Sequence, residues 1–369
     1  VDKFLRATCQ LVAHGIAGAA FCTLLAASAA AQTSASSPAP APARREVTDE
    51  VGRRVRVPLA PQRIVSLSPN LTETVFALGV QEKLVGVTDF CDFPPEAKLK
   101  ARIGGAISPN LEQIVALKPD LVLATTSLNR KITVEELERL GLSVFATHPR
   151  TVGDVISSVR RLGEMLGAAE RGEALAAVLN LRLGDLQRKL AGRPRRNVLF
   201  IVWADPLITV GPETFIADAL RYAGARSAVE TTQDWPRLSL EEVVRLQPEF
   251  LVFADTHSES VETRVKDLKE RPGWRGLEAV QQKRVANVSE AISRPAPRLV
   301  EAIEQLARQL HPEAFAITSF EQRAASPERK VLQVCSRLDA RCSPLISDFH
   351  FPFSNFQFPF WSRHAAADR

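Results

Sequence analysis

Two stretches of the chain share one pattern of apolar and polar positions: NLEQIVALKPDLVLA, beginning at Asn110, and SLEEVVRLQPEFLVFA, beginning at Ser239. In each, a residue suited to N-capping precedes Leu-Glu, an apolar stripe at helical spacing, a proline and a continuous apolar run. The spacing predicts a helix that buries Leu111, Ile114, Val115 and Leu117 in the first copy and Leu240, Val243, Val244 and Leu246 in the second. Asn110 with Gln113, and Ser239 with Glu242, are spaced as capping boxes. Pro119 and Pro248 end the helices, because the residue before a proline is pushed out of helical geometry. The runs Leu121 to Ala124 and Leu251 to Ala254 have the length and composition of parallel strands covered on both faces. One helix-strand unit used twice implies two similar α/β lobes. Glu112 and Glu241, at the second helical position of each copy, point away from the apolar face; read alone, each complements the positive end of its helix.

The remaining pattern extends this reading. Residues 46–150 open with a small hairpin around Gly52 and then alternate strands (Ile64 to Leu67, Val85 to Val87, Val144 to Thr147) with helices from Ser68-Pro69 to Leu78 and from Val134 to Leu140. Residues 151–194 form two bridging helices, the second about 34 Å long at 1.5 Å per residue. Residues 195–312 repeat the α/β alternation, ending in a helix from Arg298 to Leu310. The expected fold is α/β: two Rossmann-like lobes with parallel sheets, joined by a long helix, with a ligand cleft between them. Ligands bind beyond the carboxyl ends of such strands, which places Ser68 to Asn70, Phe90 to Phe93 and Thr125 to Asn129 along one edge. In the second lobe Trp203, Trp235, Asp255 and Arg294 fall in loops, and two tryptophans facing one cleft suit ligand binding.

The ends of the chain have a different character. Residues 1–31 read as a secretory signal, with Lys3 and Arg6, an apolar stretch and Ala29-Ala30-Ala31 as cleavage site, so a periplasmic location is expected. Residues 32–45 are a Ser, Ala and Pro linker. Residues 313–369 lack sustained periodicity; FHFPFSNFQFPFW within them is read as part of a disordered tail with no assigned function.

Composition removes several function classes. The net charge of +5 is small and dispersed, which is not a nucleic-acid footprint. GxSxG, Walker A and GxGxxG are absent, and the histidines are too scattered for a dedicated transition-metal site. Beyond the signal, Cys335 and Cys342 are spaced to close a small disulfide and Cys91 stays free. If the cleft were catalytic, Asp255, His257 and Cys91 would be its candidates.

RIVSLSPNLTETVFALG, VGVTDFCDFPPEAK, the two repeat stretches, WADPLITVGPETFIADAL, RPGW and SRPAPRLVEAIEQLA occur in an order that resembles the helical-backbone periplasmic binding proteins of ABC importers, and most of all their cobalamin-binding branch, over residues 46 to 312. The resemblance implies a monomeric carrier that holds a small molecule between its lobes as cargo, uses no cofactor, and delivers the cargo to a membrane permease without chemistry. It implies that Glu112 and Glu241 pair with arginines of the two permease subunits. It carries ligand contact onto Phe90, Trp203 and Trp235, with Glu290 and Arg294 edging the pocket; Asn70 joins them by its place at the sheet edge. Ala106 falls where well-known cobalamin binders carry a tryptophan, which leaves ferric siderophore or haem carriers of the same family as the alternative. Tyr222, the only tyrosine, falls in a helix predicted to bury it, against a tyrosinate-ligated haem.

Overall fold

The computed structural model describes residues 43–255 and 260–316. The signal, all but the last residues of the linker, His257, and the tail beyond residue 316 lie outside the described residues.

The first strands form an antiparallel hairpin, β1 (Arg44–Thr48) and β2 (Arg54–Pro58), with Val47 opposite Val55. Gly52 turns it at φ 83°, and the buried Asp49 carboxylate accepts hydrogen bonds from the backbone of Val51 and Arg53. Arg44 and Arg45, expected in the linker, are strand residues, because Arg44 pairs with Pro58 and donates to the Ser143 hydroxyl.

The first lobe runs β3 (Ile64–Ser66), α1 (Pro69–Ala77), β4 (Leu84–Val87), β5 (Ala101–Arg102), α2 (Leu111–Ala116), β6 (Leu121–Thr125), α3 (Lys131–Arg139) and β7 (Val144–Thr147). Its five strands are parallel in the order β5-β4-β3-β6-β7. Every side chain of β6 and β7 is buried, as the uninterrupted apolar runs require when helices cover both faces.

The bridge consists of α4 (Val152–Leu166) and α5 (Ala169–Leu190). Thr151 and Asp154 form a reciprocal capping box at the start of α4, and Gly167 ends it in left-handed geometry. Gly163 and Gly172 let the two helices touch backbone to backbone; a Cβ on Gly163 would lie 3.0 Å from the Gly172 Cα. The 22 residues of α5 span about 33 Å.

The second lobe runs β8 (Arg196–Ile201), β9 (Trp203–Ala204), β10 (Leu207–Ile208), α6 (Phe215–Tyr222), β11 (Ala225–Ser227), α7 (Leu240–Leu246), β12 (Phe250–Asp255), α8 (Val261–Glu270), α9 (Glu278–Gln281), β13 (Val285–Ser289) and α10 (Leu299–Leu310). The parallel order is β11-β8-β12-β13, with β9 and β10 forming a separate two-stranded hairpin.

The repeated stretch becomes α2-β6 and α7-β12, and both helices start at the carboxyl end of their sheet. Asn110 N–H donates to the Ile103 carbonyl just past β5, and Leu238 N–H to the Leu207 carbonyl beyond β8. Two expectations for the repeated stretch are corrected here. Val115 and Val244 are exposed, at 41% and 38%, instead of buried. Successive helical residues are about 100° apart, so with Ile114 or Val243 at the buried centre the neighbouring valine falls about 100° away, while the flanking leucines fall about 60° to either side. The leucines are accordingly half-buried. The second correction is at the caps: Ser239 and Glu242 bond reciprocally, whereas Asn110 accepts from Gln113 N–H with no return bond from the Gln113 side chain. Tyr222, expected to be buried, is half-buried at the last turn of α6.

Candidate functional site

Beyond the carboxyl ends of both sheets lies a cavity of 1070 Å³. Parallel strands end there without a covering helix, so the loops that leave them supply its walls. The first lobe contributes Ser68, Pro69 and Asn70 at the start of α1, and Ser127 and Leu128 after β6. The second contributes the β9 hairpin, Trp235, the end of β12, Arg264 and Arg271 from α8 and the residue after it, and the Glu290–Pro295 segment.

Trp203 and Trp235 are the large aromatic faces of this cavity, 60% and 48% exposed. Trp203 is held by the β9-β10 pairing and by its indole N–H, which donates to the Asp205 carbonyl at 2.8 Å. Trp235 is carried on a segment anchored on both sides, by Gly211 N–H to the Asp234 carbonyl at 2.9 Å and Thr209 N–H to the Pro236 carbonyl at 3.1 Å. Arg150, from the end of the first lobe, grips Asp234 through two bonds of 2.8 and 3.2 Å. Hydrogen bonding to that guanidinium holds the Asp234 carboxyl below the usual carboxylate range. Phe90 is 62% exposed and stands outside the cavity lining, 3.8 Å from where a Cβ on Gly105 would lie. Ala106, beside it, is buried, and its carbonyl accepts from the Asn129 side-chain amide.

The polar candidates are committed to one another. Asn70 is buried in the first turn of α1; it accepts from the Ser68 hydroxyl and donates to the Pro295 carbonyl of the other lobe at 3.4 Å. Arg294 places one guanidinium nitrogen 2.9 Å from Glu73 and 2.8 Å from Asp92, and the other 3.0 Å from Glu290. Arg298 meets the same Glu73 carboxylate through two bonds of 2.9 Å and lies 3.5 Å over the Phe93 ring. Burial alone would lower the basicity of Arg294, but the bonds it donates to Asp92 and Glu73 outweigh this and hold the group above its ordinary value. At Asp92 burial likewise opposes ionisation and the Arg294 contacts win, holding the carboxyl low. Glu73, with a side chain only 2% exposed, is the residue that sequence reading missed. The available signal was the pair Arg294 and Arg298, four residues apart ahead of a helix and in need of an acid.

Of the catalytic candidates, only Cys91 has a described side chain. Cys91 is fully buried behind the cleft, its sulfur hydrogen-bonded by Thr72 and Thr88, and burial pushes its thiol up, the opposite of what a nucleophile needs. His257 lies outside the described residues, and of Asp255 only the backbone, at the end of β12, is described. Among the described residues no group of His, Cys, Asp and Glu is arranged to hold a metal ion, and no helix is long and apolar enough to cross a membrane.

Glu112 and Glu241 are exposed on the N-terminal turns of α2 and α7, and neither has a hydrogen-bond or ion-pair partner among the described residues. Both acids sit at the carboxyl ends of their sheets, the side on which the cavity opens.

Residues 64–291, from the first sheet strand to just past the last, match the family model described as Periplasmic binding protein. The chain belongs to that family. This periplasmic binding protein is 30% identical over 277 residues to an uncharacterized ABC transporter substrate-binding lipoprotein of Bacillus subtilis, a match covering 73% of this chain and 86% of the relative. Among solved structures, the periplasmic vitamin B12 binding protein of Vibrio cholerae superposes with a TM-score of 0.61 at 26% identity, over 70% of this chain and 100% of that one. The periplasmic heme-binding protein of Roseiflexus sp. RS-1 superposes with a TM-score of 0.61 at 28% identity, over 69% and 99%. The protein is thus a two-lobed substrate-binding protein of the ABC importer type, and family membership assigns it outside the cytoplasm.

Proposed function

We propose that this periplasmic binding protein captures a corrinoid, cobalamin, in the cleft between its lobes and hands it to an ABC permease without altering it. The observation that carries the reading is the pair Trp203 and Trp235, two largely exposed indole faces on the wall of one 1070 Å³ cavity. Exposed tryptophan faces in a concave site suit a large, flat, partly apolar ligand, and the exposed, polar Ser127 on the opposite wall suits an amide rim. Similarity to a vitamin B12 binding protein supports the same ligand class.

A haem carrier is the second reading, favoured by the likeness to a heme-binding protein. It has no tyrosinate to offer, because Tyr222 lies on α6 away from the residues lining the cavity. A ferric siderophore would turn to Arg264 and Arg271 on the α8 side of the same cavity. Visible spectra and equilibrium dialysis of the full chain with cyanocobalamin, haemin and a ferric siderophore separate the three. Retention of unchanged cyanocobalamin at micromolar concentration is expected; no corrinoid binding at that concentration would overturn the proposal.

For delivery, Glu112 and Glu241 are the proposed docking points for arginines on two permease subunits. Each acid is exposed and has an exposed valine one turn further along its helix, Val115 or Val244, so each lobe offers the same acidic and apolar patch.

A further inference from the structure

Arg294 lines the cavity, yet its guanidinium is already spent: Glu73 and Asp92 take one nitrogen and Glu290 the other. Glu73 reaches it from α1 of the first lobe, 221 residues earlier in sequence, and also holds Arg298 through both carboxylate oxygens. In this cluster three carboxylates, Glu73, Asp92 and Glu290, face two guanidinium groups, Arg294 and Arg298. An arginine that edges a ligand cavity is ordinarily its anion receptor. Here the receptor is occupied by the protein's own acids, and the most buried of them is Glu73.

We propose that Glu73 is a specificity-determining residue that acts through Arg294: by holding that guanidinium it withdraws a positive charge from the cavity wall and biases the cleft toward ligands with neutral, amide-type rims over ligands with carboxylates. The proposal rests on the macrocycle-binding reading above and names the ligand chemistry of that site. A buried carboxylate bonded to two arginines is tightly held, so removing its charge releases donors with a strong need for a new acceptor. A ligand carboxylate entering the cavity would meet that need. Arg264 and Arg271 also stand on the wall, so the effect is read as a change within one protein when Arg294 is released.

The experiment compares haemin with its dimethyl ester, which share a macrocycle and differ in two carboxylates, on the full wild-type chain, Glu73→Gln, Asp92→Asn and Glu73→Gln/Arg294→Gln. The preference for haemin over its ester should rise about 10-fold in Glu73→Gln, rise less in Asp92→Asn, whose carboxylate is half-exposed and so not needed for folding, and return to the wild-type ratio in the double variant. An unchanged ratio in both single variants, including weaker binding of both porphyrins together with a lower melting temperature, would make Glu73 merely a tie between lobes and overturn the proposal. Absence of any porphyrin binding to Glu73→Gln and Asp92→Asn would also count against it. Failure of the wild type to bind cyanocobalamin would overturn the corrinoid reading alone, because the haemin-to-ester ratio would still decide the role of Glu73.

Discussion

Glu112 and Glu241 stand at the same position of equivalent helices in the two lobes, each exposed and each one turn ahead of an exposed valine. Neither feature is needed by the fold, since Ile114 and Val243 supply the buried side of each helix. Charge reversal at both acids, Glu112→Arg with Glu241→Arg, should leave ligand affinity within about twofold and abolish stimulation of the permease ATPase in reconstituted vesicles, because like charges would then face each other at both docking points. Val115→Asp with Val244→Asp should weaken docking in the same assay while the melting temperature stays within a degree or two, as expected for exposed positions. Loss of ligand binding in the charge-reversed protein would assign the acids to the cleft instead.

The tryptophans allow a direct measure of the ligand contact. Trp203→Ala and Trp235→Ala should each lower affinity for cyanocobalamin about 10-fold, or ~1.4 kcal/mol, through lost face contact. Wild-type tryptophan emission should quench on ligand addition, and the quench should shrink in each variant. Phe90→Ala, at a position outside the cavity lining, should change affinity less than either tryptophan variant.

Gly211 explains how Trp235 is presented. A Cβ at this position would lie 1.8 Å from the Gln233 carbonyl oxygen, so only glycine lets the two backbones pair. Gly211→Ala should cost about 1–3 kcal/mol of stability and reduce ligand affinity by shifting the Gln233 to Trp235 segment. Gly276→Ala, where a Cβ meets nothing within 4 Å, is the control and should be near neutral in both thermal melts and binding titrations.

Glu50 gives the stability a pH signature. Burial raises its carboxyl above the ordinary 4.5, despite hydrogen bonds from His148 N–H and the Ser158 hydroxyl, each 2.8 Å. A carboxyl raised in the folded state contributes stability that is fully present below the unfolded value of 4.5 and lost as pH rises through the folded value. Glu50→Gln keeps an acceptor for both donors and removes the charge. It should melt above the wild type at about pH 7.5, with the difference closing by about pH 4 in a calorimetric series.

Much of the architecture is legible in the linear pattern because it is set by local period. Alternating apolar runs and capped helices mark two parallel sheets and the bridge, and Gly167 and Gly224 stand where helices end. What the pattern misjudged was finer. The short α2 and α7 turn Val115 and Val244 outward because helices of six and seven residues against a sheet bury a narrow stripe, not every apolar residue they contain. The β9-β10 hairpin that carries Trp203 is too short to show any alternation.

The candidate site divides in the same way. Residue type and loop position alone pointed to Trp203, Trp235 and Arg294, all of which line one cavity in the folded chain, as does Glu290, which came by resemblance. Phe90 came to the same list by resemblance and lies beyond that lining. The amino-acid sequence by itself determined the two lobes, the long bridging helix and the matched acids Glu112 and Glu241, since each is written in spacings of a few residues. Only the tertiary structure decided that Glu73 would be buried against Arg294 and Arg298, 221 and 225 residues away. No local period encodes such a pair: an isolated glutamate on a helix reads as solvated surface until a distant loop packs over it, excludes water and brings the arginines that make its charge tolerable there.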